Sequence, residues 1–209
     1  MALTVALIET RALKLADSQT GDFSTTADVI PFINAGQREI IKLTDCLVGS
    51  DTIVTTDAED TYSLNSDFWK EKRVTIDGDK ATFMEYDELQ SLIAGDITAD
   101  TARYALWNDN IIIYSGDTIV AGDDIVIDYF RFAADVTSSS SQTEIPDKYA
   151  DALEFYAAAR MAEDNADYAL AERRMSQFFN HISLARANDR RRRSGPRKIK
   201  QAINDRYSF

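Results

Sequence analysis

The chain has 209 residues, of which 44% are hydrophobic and 28% charged, as is usual for a globular protein with its own core. No stretch approaches the roughly 18–20 apolar residues that span a bilayer, and the first residues lack the pattern of a signal peptide. Cys46 is the only cysteine, which excludes an intrachain disulfide. We therefore expect a soluble protein, made in a reducing cytoplasm and without a membrane partner.

The net charge of −12 is distributed unevenly along the chain. Residues 1–189 carry 15 Lys and Arg against 34 Asp and Glu, a balance of −19, whereas residues 190–209 carry 8 against one, a balance of +7. An acidic body with a basic tail indicates two different partners, or a tail that docks on an acidic neighbour. The body itself should repel nucleic acid.

Two amphipathic helices are predicted at the start of the chain. Residues 2–17 and 28–46 both place apolar side chains at spacings of three and four, which puts them on one helical face. Pro31 is tolerable only in the first turn of a helix, so Asp28 is the preferred cap of the second helix.

From about residue 50 the apolar period changes to two, which predicts strands. The predicted strands are Thr52–Thr56, Thr61–Leu64, Arg73–Ile76, Lys80–Phe83, Arg103–Trp107, Asn110–Tyr114 and Ile125–Phe132, with a short helix at Tyr86–Ile93. Asp77 and Gly78 form a strong signal for a two-residue hairpin turn, and Asn108 and Asp109 are a further predicted turn. Apolar residues on both faces of the last strand indicate a central or covered position in its sheet.

The end of the chain predicts a loop and two further helices. The run Ser138–Ser141 has no apolar residue to bury and predicts a mobile loop. Pro146 then begins a third helix, at the position where its missing N–H is harmless. A fourth helix follows to about Asn188, with the clearest period in the chain. Its apolar stripe consists of Tyr168, Ala171, Met175, Phe178, Ile182 and Ala185.

These elements together predict an α+β fold. We expect an antiparallel helical bundle formed by the N- and C-terminal helices, with an antiparallel β-rich domain inserted between them and an extended basic C-terminal tail. The expected segments are residues 1–49 for the N-terminal helices, 50–137 for the β-rich domain, 138–190 for the C-terminal helices and 191–209 for the tail.

The search for catalytic and metal-binding residues yields no candidate. His181 is the only histidine and Cys46 the only cysteine, so catalytic triads and zinc centres lack their components. The acids lack the spacing of a calcium loop, and no glycine motif for binding phosphate is present. We therefore predict no catalytic residue, no cofactor and no metal ligand. A divalent ion at a subunit interface and a hydrolase with carboxylate chemistry stay open as alternatives.

The basic tail is the segment that the sequence singles out as a site. Its candidate docking residues are Arg190, Arg191, Arg192, Arg193, Arg197, Lys198, Ile199, Lys200, Ile203, Arg206, Tyr207 and Phe209. Ile199 and Ile203 are one helical turn apart, and aromatic residues are frequent interface anchors, which favours docking on an acidic protein surface. Binding to nucleic-acid phosphates and a solvated arm without a specific role are the alternatives.

Five segments carry a further pattern when they are taken in order. They are DVIPFINAGQREII (28–41), which contains Pro-x-x-Asn-x-x-x-x-x-Ile, TYSLNSDFWKEKRVTIDGDKATFMEYDEL (61–89), RYALWNDNIIIY (103–114), DDIVIDYFRFAADVT (123–137) and IPDKYADALEFYAAARMAEDNADYALAERRMSQFFNHI (145–182). Together they resemble the head-to-tail adaptor (head-completion, connector) proteins of tailed bacteriophages. The resemblance covers about residues 25–190 and rests on packing patterns in a fixed order.

The resemblance implies a structural protein of the virion, made in the host cytoplasm and located at the head–tail junction. It implies a ring, usually of twelve copies, that docks on the portal protein, extends the DNA channel and offers a surface to tail or nozzle proteins. Genomic DNA would pass through without sequence-specific binding, and an acidic body would not retard it. In this family the C-terminal segment typically contacts the portal, which agrees with residues 190–209 as a docking tail. The alternative is a nucleic-acid-binding packaging accessory protein that acts through the basic tail, with an affinity that falls steeply with salt.

Overall fold

The structure is a computed structural model that describes residues 4–16, 26–56, 60–95, 101–114 and 121–193. In chain order its elements are α1 (Val5–Leu15), α2 (Thr26–Thr44), β1 (Val48–Val54), β2 (Thr61–Ser63), β3 (Phe68–Ile76), β4 (Asp79–Lys80), β5 (Thr82–Phe83), α3 (Tyr86–Ala94), β6 (Arg103–Trp107), β7 (Asn110–Tyr114), β8 (Asp124–Arg131), a 3₁₀ turn (Asp147–Tyr149), α4 (Ala150–Asp164) and α5 (Tyr168–Arg193). The predicted α+β class is confirmed.

Four of the helices share one apolar core, in which α4 is central. It contacts α1, α2 and α5, and most of its residues are buried, many of them alanines that allow the neighbouring helices to approach closely. The contact with α2 is tightest at Gly36, where an added Cβ would lie 2.6 Å from Leu153 Cδ1 and 2.9 Å from Tyr156 Cδ1. A Cβ at this position would therefore require the Leu153 and Tyr156 side chains, or the two helices, to move apart.

The start of α2 differs from the prediction. The helix begins at Thr26, so Asp28 lies inside its first turn and does not cap it, and Pro31 is an interior residue. Pro31 lies five residues after the start, where its missing N–H removes one of the first intrahelical hydrogen bonds and leaves the rest of the ladder intact. The acidic Asp28 still complements the positive end of the helix dipole.

The strands of the predicted β-rich region form two four-stranded sheets. Their orders are β1-β8-β3-β4 and β2-β7-β6-β5, and the short pair β5–β6 is parallel. Side chains of both sheets meet in a second apolar cluster, to which Ile125 and Ile127 contribute from β8 and Tyr104 and Ile111 from the other sheet. The β-rich region is therefore a two-layer structure with its own core, and α3 covers the outer face of the second sheet through Leu89.

The turn signals and the position of β8 were predicted correctly. Asp77 and Gly78, with φ of 49° and 85°, connect β3 to β4, and Asn108 and Asp109, with φ of 48° and 60°, connect β6 to β7. Positive φ at both central residues is what a tight hairpin turn requires. β8 pairs with β1 on one side and β3 on the other, so its predicted central position in the sheet is confirmed.

The serine run, expected to be a mobile loop, is hydrogen-bonded to the start of α1. The N–H of Val5 donates to the carbonyl oxygen of Ser141, and that of Ala6 donates to the carbonyl oxygen of Ser139, both at 3.0 Å. These N–H groups have no partner within their own helix. The loop therefore supplies backbone acceptors, a role that does not require apolar side chains.

The closing helices deviate from the prediction in two places. Pro146 precedes the 3₁₀ turn, so α4 itself begins at Ala150. In α5 the predicted stripe is buried at Phe178, Ile182 and Ala185, whereas Tyr168 is 69% exposed. The predicted stripe therefore begins at a residue that faces solvent, because α4 does not cover Tyr168.

Candidate docking surfaces

The backbone of Arg190–Arg193 forms the last turn of α5, and the other candidate docking residues lie outside the described residues. Those outside are Arg197, Lys198, Ile199, Lys200, Ile203, Arg206, Tyr207 and Phe209. Burial of the α5 side chains is described up to Asn188; within that range Ala185 is the last buried residue, and the side chains from Arg186 to Asn188 are all exposed.

Nearer its N-terminus, α5 is hydrogen-bonded to α1 through Arg174. Arg174 donates from Nε to the carbonyl oxygen of Leu15 at 2.8 Å, which occupies an acceptor at the C-terminal end of α1, and from Nη1 to Gln177 Oε1 at 2.9 Å. A second link joins α1 to α4, where Arg11 Nη1 lies 2.8 Å from Glu154 Oε1. Burial raises the pKa of the Glu154 carboxyl, and the hydrogen bond from Arg11 partly offsets this rise.

An open groove of about 260 Å³ lies between α4 and α5. Its lining residues are Ala159, Arg160, Glu163, Tyr168, Ala171, Glu172 and Met175. Two alanines leave room between the helices, and Tyr168 and Met175 form an apolar wall. Phe179, 48% exposed, continues that wall one helical turn further along α5. Sequence periodicity placed Tyr168 and Met175 on one stripe, but it did not show that part of this stripe faces solvent.

The sheets join the helical core through a polar cluster around Arg131, at the end of β8. Arg131 Nη1 donates to Glu144 Oε2 at 2.8 Å and to the carbonyl oxygen of Phe132 at 3.2 Å, and it lies 4.0 Å from Asp67 Oδ2. Tyr129 donates its hydroxyl proton to Asp67 Oδ1 at 3.0 Å. The hydrogen bond from Arg131 holds the pKa of Glu144 below its ordinary value. The cluster fixes the end of the sheet against the segment that precedes α4.

The segment after β8 is bound to α2 by paired hydrogen bonds. Val136 N–H donates to Asn34 Oδ1 at 2.9 Å, and Asn34 Nδ2 donates to the carbonyl oxygen of Val136 at 3.1 Å. On the exposed side of the same segment, Arg38 Nη2 lies 2.7 Å from Asp135 Oδ2. The Asn of the Pro-x-x-Asn pattern therefore has a structural role, since it holds the chain that leads from the sheet back to the helices.

A family model described as SU10 adaptor protein matches residues 3–200, nearly the whole chain. The chain belongs to the SU10 adaptor family. This is a family of phage head-to-tail adaptors, so the resemblance seen in the sequence is confirmed and the chain is a structural adaptor of a phage. No curated protein sequence matches the chain. The matched region of this SU10 adaptor extends beyond Arg193 to Lys200 and so includes part of the basic tail.

In the described part of this SU10 adaptor, no three His, Cys, Asp or Glu side chains are grouped so that they could hold a metal ion. His181 packs on Phe155, with 4.9 Å between ring centroids, and its Nδ1 lies 3.9 Å from Asp151 Oδ2. Burial raises the pKa of the Cys46 thiol, which makes it a poorer nucleophile. None of the described helices is long and apolar enough to span a membrane.

The adaptor also presents one long strand edge. The N–H of Arg131 donates to the carbonyl oxygen of Leu47, and the N–H of Thr55 donates to the carbonyl oxygen of Asp123. Hydrogen-bonded pairs alternate along an antiparallel ladder, so the odd-numbered residues of β1 are the ones that bond to β8. The N–H and C=O groups of Val48, Ser50, Thr52 and Val54 therefore point away from the sheet. Thr52 N–H is bonded to Asp51 Oδ1 at 2.9 Å, which occupies one of these outward donors.

Proposed function

We propose that this phage adaptor assembles as a ring, of twelve copies in the simplest case, that docks on the portal protein through residues 190–209. The ring extends the DNA channel and offers a surface to tail or nozzle proteins. In this proposal α1, α2, α4 and α5 act as an antiparallel bundle that builds the ring. The β-rich region 50–137 acts as a side domain that contacts neighbours or the tail. The chain performs no catalysis and resides in the virion at the head–tail junction.

The observation that carries the proposal is the match of the SU10 adaptor family over residues 3–200. A head-to-tail adaptor must meet a component of the head on one side and a component of the tail on the other. A protein that contacts two different partners needs two chemically different surfaces. The acidic body and the basic tail of this chain provide such a pair.

The geometry of α5 supports the assignment of the tail as the docking segment. The side chains of α5 from Arg186 to Asn188 are exposed, and the backbone of Arg190–Arg193 forms its final turn. Four arginines at a helix C-terminus are favourable for the helix dipole and present guanidinium groups suited to carboxylates of a partner. An acidic body, with a balance of −19 over residues 1–189, allows DNA to pass because it does not bind phosphates.

The test is co-purification with the portal protein encoded by the same genome, followed by electron microscopy. The full chain should form a ring stacked on the portal, and removal of residues 190–209 should abolish the stacking. A full-length variant in which Arg190–Arg193 are replaced by Gln should weaken the complex and make its stability less dependent on salt.

A matched control changes four exposed cations elsewhere by the same total charge. In this variant Lys14, Lys70, Lys72 and Lys80 are replaced by Gln, and portal binding should persist. Absence of portal binding by the full chain, together with tight DNA binding that falls steeply with salt and is lost on removal of residues 190–209, would instead establish the packaging accessory protein.

A further inference from the structure

The groove between α4 and α5 exposes large apolar side chains of α5 to solvent. Tyr168, Met175 and Phe179 follow one another at spacings of seven and four residues, which places them on one face of α5. Tyr168 is 69% exposed and Phe179 48% exposed, although both are large aromatic side chains. Aromatic residues of this kind, beside a groove, are frequent anchors of protein contacts.

The length of the chain beyond α5 limits what can reach this groove. Sixteen residues, 194–209, follow Arg193. Along the helix, Phe179 lies about 21 Å and Tyr168 about 38 Å before Arg193. A helical segment of sixteen residues would span only about 24 Å, whereas an extended one reaches about 50 Å or more. An extended segment that reverses direction after α5 is therefore long enough to follow the whole groove.

The sequence of this segment fits such a path. Gly195 and Pro196 are turn residues, suited to reversal of the chain directly after the helix. Ile199 and Ile203, six and ten residues after Arg193, can reach the levels of Phe179 and Met175 when the segment is extended. Their side chains can then contact the apolar wall of the groove.

We propose that residues 197–209 fold back in the same molecule and occupy the α4–α5 groove in an extended conformation. The segment places Ile199 and Ile203 against the wall formed by Met175 and Phe179. The free protein thus holds its own basic segment on its acidic body. A partner that binds the segment must displace it from the groove, which lowers the apparent affinity for that partner.

The test uses the methionine methyl groups of the full chain as probes. The chain has four methionines, of which Met175 lines the groove, Met161 is buried in the helical core and Met84 packs against α3. A nitroxide is attached at Ser208→Cys in a Cys46→Ser background, and the ¹³C-methyl spectrum is compared before and after reduction of the nitroxide. The Met175 signal should lose most of its intensity in the oxidised sample, and the Met84 signal should not.

Matched variants separate groove binding from an unspecific effect. Tyr168→Ala combined with Phe179→Ala should restore the Met175 intensity. Leu184→Ala, at an α5 residue that is 64% exposed on another face, should leave the loss unchanged. Unshifted Met84 and Met161 signals show that each variant is folded. Equal intensities of Met175 and Met84 in the oxidised sample would refute the proposal, as would a loss that the double variant does not relieve.

A mixture of chains distinguishes the same molecule from a neighbour. Spin-labelled chains without isotope are mixed with isotope-labelled chains without nitroxide. The proposal requires that Met175 keeps its intensity in this mixture. A loss of Met175 intensity in this mixture that exceeds any loss of the Met84 signal would assign the groove to the segment of a second copy and overturn the proposal.

Discussion

Asn34 of α2 and Val136, five residues after β8, exchange two hydrogen bonds, in which each residue both donates and accepts. Asn34 Oδ1 also accepts from Gln37 Nε2 at 3.2 Å. Through this pair, a side chain on a helix binds the backbone of the segment that returns from the sheets. An asparagine is required, because its amide carries a donor and an acceptor on the same planar group.

Asn34→Asp should destabilise the protein, because a carboxylate keeps the acceptor for Val136 N–H and loses the donor to the Val136 carbonyl oxygen. We expect a loss of about 1–3 kcal/mol in the free energy of unfolding measured with urea. Arg38→Gln is the control, since the ion pair with Asp135 has both side chains 50% exposed and should contribute less than about 1 kcal/mol. Equal losses for the two variants would contradict this assignment.

Gly36→Ala should lower the melting temperature even though alanine favours helices. Its Cβ would lie 2.6 Å from Leu153 Cδ1, so α2 and α4 must separate or Leu153 must leave its rotamer. We expect a net destabilisation of about 1–3 kcal/mol, larger than the gain of roughly 1 kcal/mol from helix propensity. Gly36→Ala combined with Leu153→Ala should recover part of the loss from the first change, which a double-mutant cycle measures.

Glu154→Gln should change the pH dependence of stability. Burial raises the pKa of Glu154, so the folded state binds its proton more readily than the unfolded state does. The wild type therefore gains stability relative to Glu154→Gln as the pH falls through the region just above the ordinary glutamate value of 4.5. Denaturation with urea at a series of pH values measures this difference.

Glu144→Gln should change the pH dependence of stability in the opposite direction. Arg131 lowers the pKa of Glu144, so the stabilisation by its carboxylate is present above the ordinary value and lost as the pH falls through the lowered pKa. The wild type should therefore lose stability relative to Glu144→Gln over the pH range below 4.5. If the stability of the wild type relative to each of the two variants changed in the same direction as the pH falls, at least one of the two pKa shifts would be assigned wrongly.

Thr52→Pro should be tolerated far better than Ile53→Pro, although the two residues are adjacent in β1. The N–H of Thr52 points away from β8, whereas Ile53 pairs with Ile125 inside the sheet. Proline is compatible with an edge strand where the N–H faces solvent, and it breaks the ladder where the N–H is bonded. Circular dichroism and urea denaturation should show a folded Thr52→Pro protein and a strongly destabilised Ile53→Pro protein.

Local patterns gave several elements with their bounds. Arg103–Trp107 and Asn110–Tyr114 were predicted as they occur, because a two-residue turn at Asn108 and Asp109 separates two runs of β-branched and aromatic residues. The central place of β8 followed from its apolar residues on both faces. These features depend on neighbours in sequence, so the sequence alone contains them.

Only part of the candidate site could be predicted from local sequence patterns. The basic tail is evident from its composition, but the groove between α4 and α5 is not, since Tyr168 has the spacing of a buried residue and yet is 69% exposed. Tyr168 is exposed because it is the first residue of α5, directly after the turn that follows the end of α4 at Asp164. Periodicity shows which residues share a face, and only the packed structure shows how far a neighbouring helix covers that face.

The sequence by itself determined the α+β class, most of the helices and strands, the charge division and the family to which the chain belongs. The tertiary structure decided the pairing of β1 with β8 and of β2 with β7, and thus the division into two sheets. It also decided the use of the serine run to complete α1. The physical reason is that these contacts join backbone groups far apart in the chain, and backbone hydrogen bonding leaves no signature in the side chains.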